Sequence, residues 1–179
     1  MVYVFLADGF EEIEALTVVD ILRRGDIPVK TISITINHTV CGAHSINVIA
    51  DGLLDDVKDD IDMLVLPGGM PGTTNLDANE KLRTLLLKAI ESGKYVAAIC
   101  AAPLILGKLG VLKDKTATCY PSFESYLEGA SLSTDRVCFS ENIITSRGPG
   151  TASDFALFIV EKLKGKELRD KIHGDMLYD

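Results

Sequence analysis

The sequence predicts an α/β fold, a parallel sheet with helices on its faces, and three observations carry that expectation. Apolar runs of strand length alternate with longer segments whose apolar residues recur at helical spacing, the pattern of strands buried on both sides beneath amphipathic helices. The chain has 179 residues, long enough for one domain to bury about 70% of the surface its extended form exposes. Neither a linker nor an internal repeat interrupts it, so residues 1–179 are expected to form a single domain.

Each element follows from its own stretch. Val2–Leu6 reads as a first strand, and residues 11–24 as a helix with Ile13, Leu16, Val19 and Leu22 inward and Gly25 as its stop. Residues 29–36 alternate polar and β-branched positions, and residues 37–50 read as short antiparallel strands joined around Gly42. Residues 62–66 form a buried strand ending in Pro67-Gly68-Gly69. A helix over 79–92 follows, with Leu82, Leu85, Leu86 and Ile90 on one stripe and Gly93 at its end. Tyr95–Ile99 is the next strand and runs almost directly into a helix over 103–109, whose Pro103 sits where a first turn tolerates proline. Residues 115–119, 136–140 and 143–145 read as later strands, and 152–163 as a closing helix with Phe155, Ile159 and Leu163 inward.

Composition narrows the function classes. Apolar residues make up 47% of the chain, which excludes a disordered chain, and no glycine period marks a collagen. The formal charge is −8, and Lys and Arg are scattered singly apart from Arg23-Arg24, so no nucleic-acid partner is expected. The apolar amino terminus lacks a basic flank and meets Asp8 early, which suits a strand better than a signal peptide. The stretch 95–107 is broken by Pro103 and falls short of the ~20 residues of a membrane span. No membrane partner and a cytoplasmic location are therefore expected. Cys41, Cys100, Cys119 and Cys138 lie far apart without a C-x-x-C pair, and His38, His44 and His173 do not cluster with them. That spacing predicts no metal site, and the lack of an export signal predicts reduced thiols.

Four motifs carry the chemistry. In Ala98-Ile99-Cys100-Ala101-Ala102 a thiol stands between a buried strand and a helix, with small residues two positions to either side, the arrangement of a nucleophile elbow. A cysteine at a helix amino end is expected to have a lowered pKa, so Cys100 reads as a reactive thiol rather than an inert packed one. Leu66-Pro67-Gly68-Gly69 ends a parallel strand, where ligand crevices form. The glycines serve either a turn with positive φ or, with the Ala101 amide, an oxyanion hole. In Phe10-Glu11-Glu12-Ile13-Glu14 the first two acids suit a helix's first turn, and Glu14 falls near the apolar stripe. There it is either a further helix acid or a partly buried carboxyl acting on a thiolate. In Ser146-Arg147-Gly148-Pro149-Gly150-Thr151, Thr151 and Asp154 have the spacing of a capping box, a structural reading.

Together these motifs resemble the ThiJ/PfpI superfamily, within it the branch containing a Parkinson's-linked human protein and bacterial ThiJ, over nearly the whole chain. The resemblance implies a flavodoxin-like three-layer sandwich with a mostly parallel sheet, a homodimer, an oxidation-prone Cys100 at the elbow and a protonated Glu14 donating to it. The amides of Gly69 and Ala101 would surround the thiolate. It also makes Arg24 and His44, near the expected dimer contact, candidates for holding an anionic group. Two positions depart from the family: Ala101 stands where protease-like relatives have His, and Tyr120 where the human-type branch has a His near the thiol. A Tyr with a pKa near ~10 is a poor base, so proton transfer falls to Glu14, water or a residue such as His44 of a second copy. Cys119 reads as a packed strand residue ahead of a resolving thiol.

The implied function is a cysteine-dependent, cofactor-free stress-protection enzyme of glyoxalase or deglycase type, acting on small dicarbonyls or their protein adducts. The alternative is a redox sensor or chaperone whose Cys100 is oxidised to the sulfinic acid. A hydrolase or peptidase on the same scaffold ranks last, since it lacks its His.

Overall fold

The computed structural model describes residues 1–178. Its strands are β1 (Val2–Leu6), β2 (Val29–Ser33), β3 (Thr39–Cys41), β4 (Asn47–Ile49), β5 (Gly52–Leu53), β6 (Met63–Leu66), β7 (Tyr95–Ile99), β8 (Thr116–Ala117), β9 (Ser131–Leu132), β10 (Val137–Ser140) and β11 (Ile143–Ser146). Its α-helices are α1 (Glu12–Arg24), α2 (Gly72–Asp77), α3 (Glu80–Glu91), α4 (Pro103–Lys108), α5 (Ala152–Lys164) and α6 (Lys166–Asp175). Seven strands form one sheet in the order β10-β11-β7-β6-β1-β2-β5, parallel throughout except for the antiparallel pair β10 and β11.

Strand alternation divides the core in two. From β1, Val2, Val4 and Leu6 join Ala15, Val18, Phe155, Ile159 and Ile172 beneath α1, α5 and α6. Tyr3 and Phe5 join Leu76, Leu82, Leu86, Leu104 and Ile105 beneath α2, α3 and α4. The result is the flavodoxin-like three-layer α/β sandwich with a mostly parallel sheet. Chain order reverses between β1 and its neighbour β6, so the crevice at the carboxyl ends of these strands is the place where such sheets bind ligands. Register aligns that edge: Leu66 pairs with Ala98, and Ile99 with Ser146.

Several local expectations are corrected. Helix α1 buries Glu14, Ala15, Val18, Val19, Ile21 and Leu22, while Ile13 is 56% and Leu16 36% exposed. The strict three-residue spacing drifts off a 3.6-residue turn, and the inward stripe follows the mixed three-and-four spacing. Helices α2 and α6 and the short strands β5 and β9 were not foreseen, being too short or too polar to show an apolar period, and the strand expected over 115–119 shrinks to β8. Thr151 makes no capping-box bond across α5. Its Oγ1 donates to the Gly148 carbonyl (2.9 Å) and meets Ser146 Oγ (2.7 Å), while Asp154 accepts from Arg136. Among the described residues no helix is long and apolar enough to cross a membrane.

Candidate active site

Three chain segments meet at the crevice. After β7 the backbone turns into α4 through Cys100, which has φ +64°, the left-handed region that a side chain enters at a cost of about 1–3 kcal/mol. Fully buried Ala98 and Ala102 flank the turn, where bulkier side chains would collide. The turn is pinned on both sides: Cys100 N–H donates to the Ser146 carbonyl (2.9 Å), and Tyr120 N–H donates to the Cys100 carbonyl (2.8 Å). The nucleophile elbow expected from sequence is present.

Gly68 and Gly69, after β6, form the second wall. A Cβ on Gly68 would lie 2.6 Å from Cys100 Cβ and 2.7 Å from Glu14 Oε2, so only glycine lets the thiol and the carboxyl close on this strand end. Gly69 has φ +88°, and a Cβ there would sit 2.5 Å from Glu11 N. The positive φ of the turn alternative is thus present at Gly69. The Glu11 N–H donates to the Gly68 carbonyl (2.9 Å), tying this loop to the entrance of α1.

The third wall is α1. Glu11 is its N-cap, its carboxylate accepting from the Glu14 N–H (2.7 Å), and Glu14 projects inward with no exposed surface. Gly68 N–H donates to Glu14 Oε2 (2.7 Å), whereas Oε1 has no hydrogen-bond partner. Gly68 therefore holds the carboxyl, and the amides turned to the sulfur are those of Ala101 and Gly69.

Electrostatics follow from burial. Burial pushes the Glu14 carboxyl up to about 7, against the opposing pull of the Gly68 N–H and of Cys100. Burial, and then the neighbouring Glu14 charge, push the Cys100 thiol well above its ordinary value, while the Ala101 and Gly69 amides pull it down. This corrects the expectation that the helix start by itself would lower the thiol: α4 has only six residues, and desolvation outweighs its amides. The two groups titrate as a pair. With Glu14 ionised the thiol keeps its proton. With Glu14 protonated the repulsion is gone and the acid O–H becomes a donor to the sulfur.

The remaining candidates fall around this centre. Tyr120, 46% exposed, holds the elbow through its backbone, and its ring stands over Gly148. His44 is exposed and bonded to Glu12 through both its backbone N–H (2.7 Å) and Nδ1 (2.8 Å), and that carboxylate raises its pKa. Arg24 lies ten residues after Glu14 along α1, a rise of ~15 Å, and pairs with Asp20 (2.7 Å). Within one chain it does not reach Cys100. Cys119 is packed in the core, its thiol pushed up to about 11, first by burial and then by Glu124, against the pull of Arg147. Glu11, Glu12 and His44 bring donor atoms within 4.8 Å of one another, but Glu11 is spent on the α1 cap and Glu12 on His44. The clasp of Glu11 on Gly68 and the capture of Glu14 by the Gly68 amide were not foreseen, because both join residues more than fifty positions apart.

Fold and site together define a flavodoxin-like α/β protein with a cysteine on a strand–helix elbow beside a buried carboxyl. The chain matches the DJ-1/PfpI family over residues 1–162 and belongs to that family. It is 42% identical over 175 residues to Arabidopsis thaliana protein DJ-1 homolog B, covering 96% of this chain and 40% of that protein. It thus spans less than half the length of that relative. It is 40% identical to Drosophila melanogaster protein dj-1beta, covering 97% of this chain and 95% of the relative. A Caenorhabditis elegans protein named as a glutathione-independent glyoxalase is 36% identical over 159 residues, 88% of this chain and 84% of that protein. The solved structure of oxidized Toxoplasma gondii DJ-1 superposes with a TM-score of 0.94 at 36% identity, covering 98% of this chain and 97% of that one.

The buried carboxyl links stability to pH. The folded protein holds the Glu14 proton more tightly than the unfolded chain, so its contribution is fully present below pH 4.5 and is lost as pH rises through about 7. The loss amounts to roughly 3 kcal/mol across a window running from 4.5 to about 7. Thermal unfolding of the parent and of Glu14→Gln is expected to show this decline in the parent and a flatter profile in the variant, which should be the more stable above pH 8. Parallel profiles would show that Glu14 does not titrate in this window.

Proposed function

We propose that this protein is a cofactor-free, cysteine-dependent enzyme of glyoxalase or deglycase type, with Cys100 as nucleophile, Glu14 as proton carrier and the amides of Gly69 and Ala101 as oxyanion hole. The observation that carries this reading is the buried carboxyl held beside a thiol at a left-handed elbow. The glyoxalase name of the C. elegans relative supports the substrate class, small reactive dicarbonyls or their adducts.

With methylglyoxal the ionised Glu14 takes the thiol proton as the Cys100 sulfur adds to the aldehyde carbon, and the carbonyl oxygen becomes an oxyanion facing two amides. Glu14 gives its proton to that oxygen, completing a hemithioacetal. As carboxylate it then takes the proton from the aldehyde carbon and returns it to the neighbouring carbon, while the hydroxyl proton passes to the former ketone oxygen, leaving a lactoyl thioester. Water cleaves the thioester, releasing lactate and restoring the thiol, so that methylglyoxal and water become lactate without a redox partner. A carboxyl titrating at about 7 suits both directions of transfer near neutral pH, and this scheme asks nothing of Tyr120.

Lactate formation from methylglyoxal tests this reading. Cys100→Ser is expected to lose at least about a thousandfold in rate, and Glu14→Leu to lose far more than Glu14→Gln loses in thiol alkylation. Turnover by Cys100→Ser equal to the parent's would remove the enzyme reading.

The redox reading has its own support in the partnerless Glu14 Oε1, a group placed to hydrogen-bond an oxidised sulfur. Mild peroxide followed by mass spectrometry is expected to add two oxygens to Cys100 and not to buried Cys119. An unmodified Cys100 would sink that role. In either role the chain works as one domain in the reducing cytoplasm, its four cysteines free thiols.

The unit of function is a homodimer. Ile13 and Leu16 on α1 and Ile46 and Ile49 on the adjoining β3–β4 hairpin are exposed, an apolar surface of the kind that marks an interface. Arg24 and His44 contribute to anion binding only from such an assembly. Light scattering is expected to give twice the 19.4 kDa chain mass for the parent and the single-chain mass for Ile13→Asp with Leu16→Asp. A parent at the single-chain mass would exclude the dimer.

A further inference from the structure

Five of the six arginines hold a carboxylate: Arg23 pairs with Asp51, Arg24 with Asp20, Arg83 with Asp77, Arg136 with Asp154, and Arg169 with Glu161 and Asp170. Arg147 is the exception. In a chain with 26 acidic side chains against 18 basic ones, no carboxylate among the described residues lies within salt-bridge reach of it. It is half-buried and lines a surface cavity of about 360 Å³ with Tyr120, Arg136, Gly148, Gly150 and Thr151.

The cavity is built rather than incidental. The Tyr120 ring packs against Gly148, where a Cβ would lie 3.1 Å from Tyr120 Cδ2. Thr151 Oγ1 bridges back to the Gly148 amide (3.1 Å) and carbonyl (2.9 Å), fixing the loop that carries Arg147. Arg136 on the far side is neutralised by Asp154, at 2.9 and 2.6 Å, and also donates to the Gly150 carbonyl (2.6 Å). The uncompensated charge in the cavity is therefore that of Arg147. The amino end of α5, a 13-residue helix, begins at its edge, since Thr151 lines the cavity and Ala152 opens the helix. A guanidinium with no carboxylate partner keeps its attraction for an anion, and its planar fork matches two oxygens of one.

We propose that this cavity is a binding site for a small oxyanion, a carboxylate or a phosphate, gripped by the Arg147 guanidinium. The site stands beside the elbow and apart from its sulfur: Ser146, next to Arg147, accepts from the Cys100 N–H, and Tyr120 N–H donates to the Cys100 carbonyl. It does not depend on the chemistry proposed for Cys100.

The test uses the full chain with inorganic phosphate and, separately, malonate, with sodium chloride added to hold ionic strength constant. Either anion is expected to raise the Tm of the parent, as a ligand of the folded state does, and to shift the amide resonances of Gly148, Gly150 and Thr151. Arg147→Gln should weaken binding at least about tenfold, the loss of a charged hydrogen bond. Arg147→Lys, which keeps the charge without the fork, should fall between, and serves where the glutamine variant folds poorly. Cys100→Ser should bind as the parent does. Absence of binding by either anion, equal binding by Arg147→Gln, or resonance shifts centred away from this loop would overturn the assignment. So would loss of binding in Cys100→Ser, which would place the anion at the elbow.

Discussion

The structure turns on the absence of one side chain. Gly68 ends β6 at the point where Cys100, after β7, and Glu14, on α1, approach the same strand end, and there is no room for a Cβ beside either. Its amide holds the Glu14 carboxyl and its carbonyl holds the start of α1, so one residue sets the distance between an acid and a thiol that are 86 positions apart in sequence (100 − 14). The rest of the sheet delivers these segments to one edge. The chain reversal between β1 and β6 opens the crevice, and the parallel register of β6, β7 and β11 lines up their ends.

What this geometry creates is a coupled pair of titrating groups. An isolated thiol in this environment would be driven neutral by desolvation, and an isolated carboxyl likewise. Side by side, the Glu14 charge keeps the proton on the thiol while the thiol favours the ionised carboxyl, and the amides of Ala101 and Gly69 face the sulfur. Such an arrangement stores chemistry at the expense of stability, and Cys100 carries a further cost in its left-handed backbone. The same region supports two readings, nucleophilic turnover and oxidation of the sulfur, because both require an electron-rich sulfur facing hydrogen-bond donors.

The sequence exposed the site unevenly. Cys100 was legible because the strand–Cys–Ala-Ala-Pro order is a local steric requirement, and Gly69 because a strand-end glycine pair has few uses. The burial of Glu14 was not legible, since helical spacing by itself does not separate a solvated acid from a buried one. The apolar stripe of α1 was misread at Ile13 and Leu16, which a second surface covers or leaves exposed depending on contacts outside the helix. Thr151 and Asp154 had capping spacing, yet each found a better partner, Gly148 and Arg136, brought in by tertiary structure.

The amino-acid order by itself determined the α/β class, the positions of the main buried strands and the identity of the elbow residue, because these depend on periodicity and on steric limits acting over a few neighbouring residues. Tertiary structure decided which face of α1 points inward, that the Gly68 amide serves Glu14, that burial raises the Cys100 thiol, and that Arg147 is the arginine without a carboxylate among the described residues. Those outcomes depend on desolvation and on partners dozens of residues away, and neither is a property of any local stretch of chain.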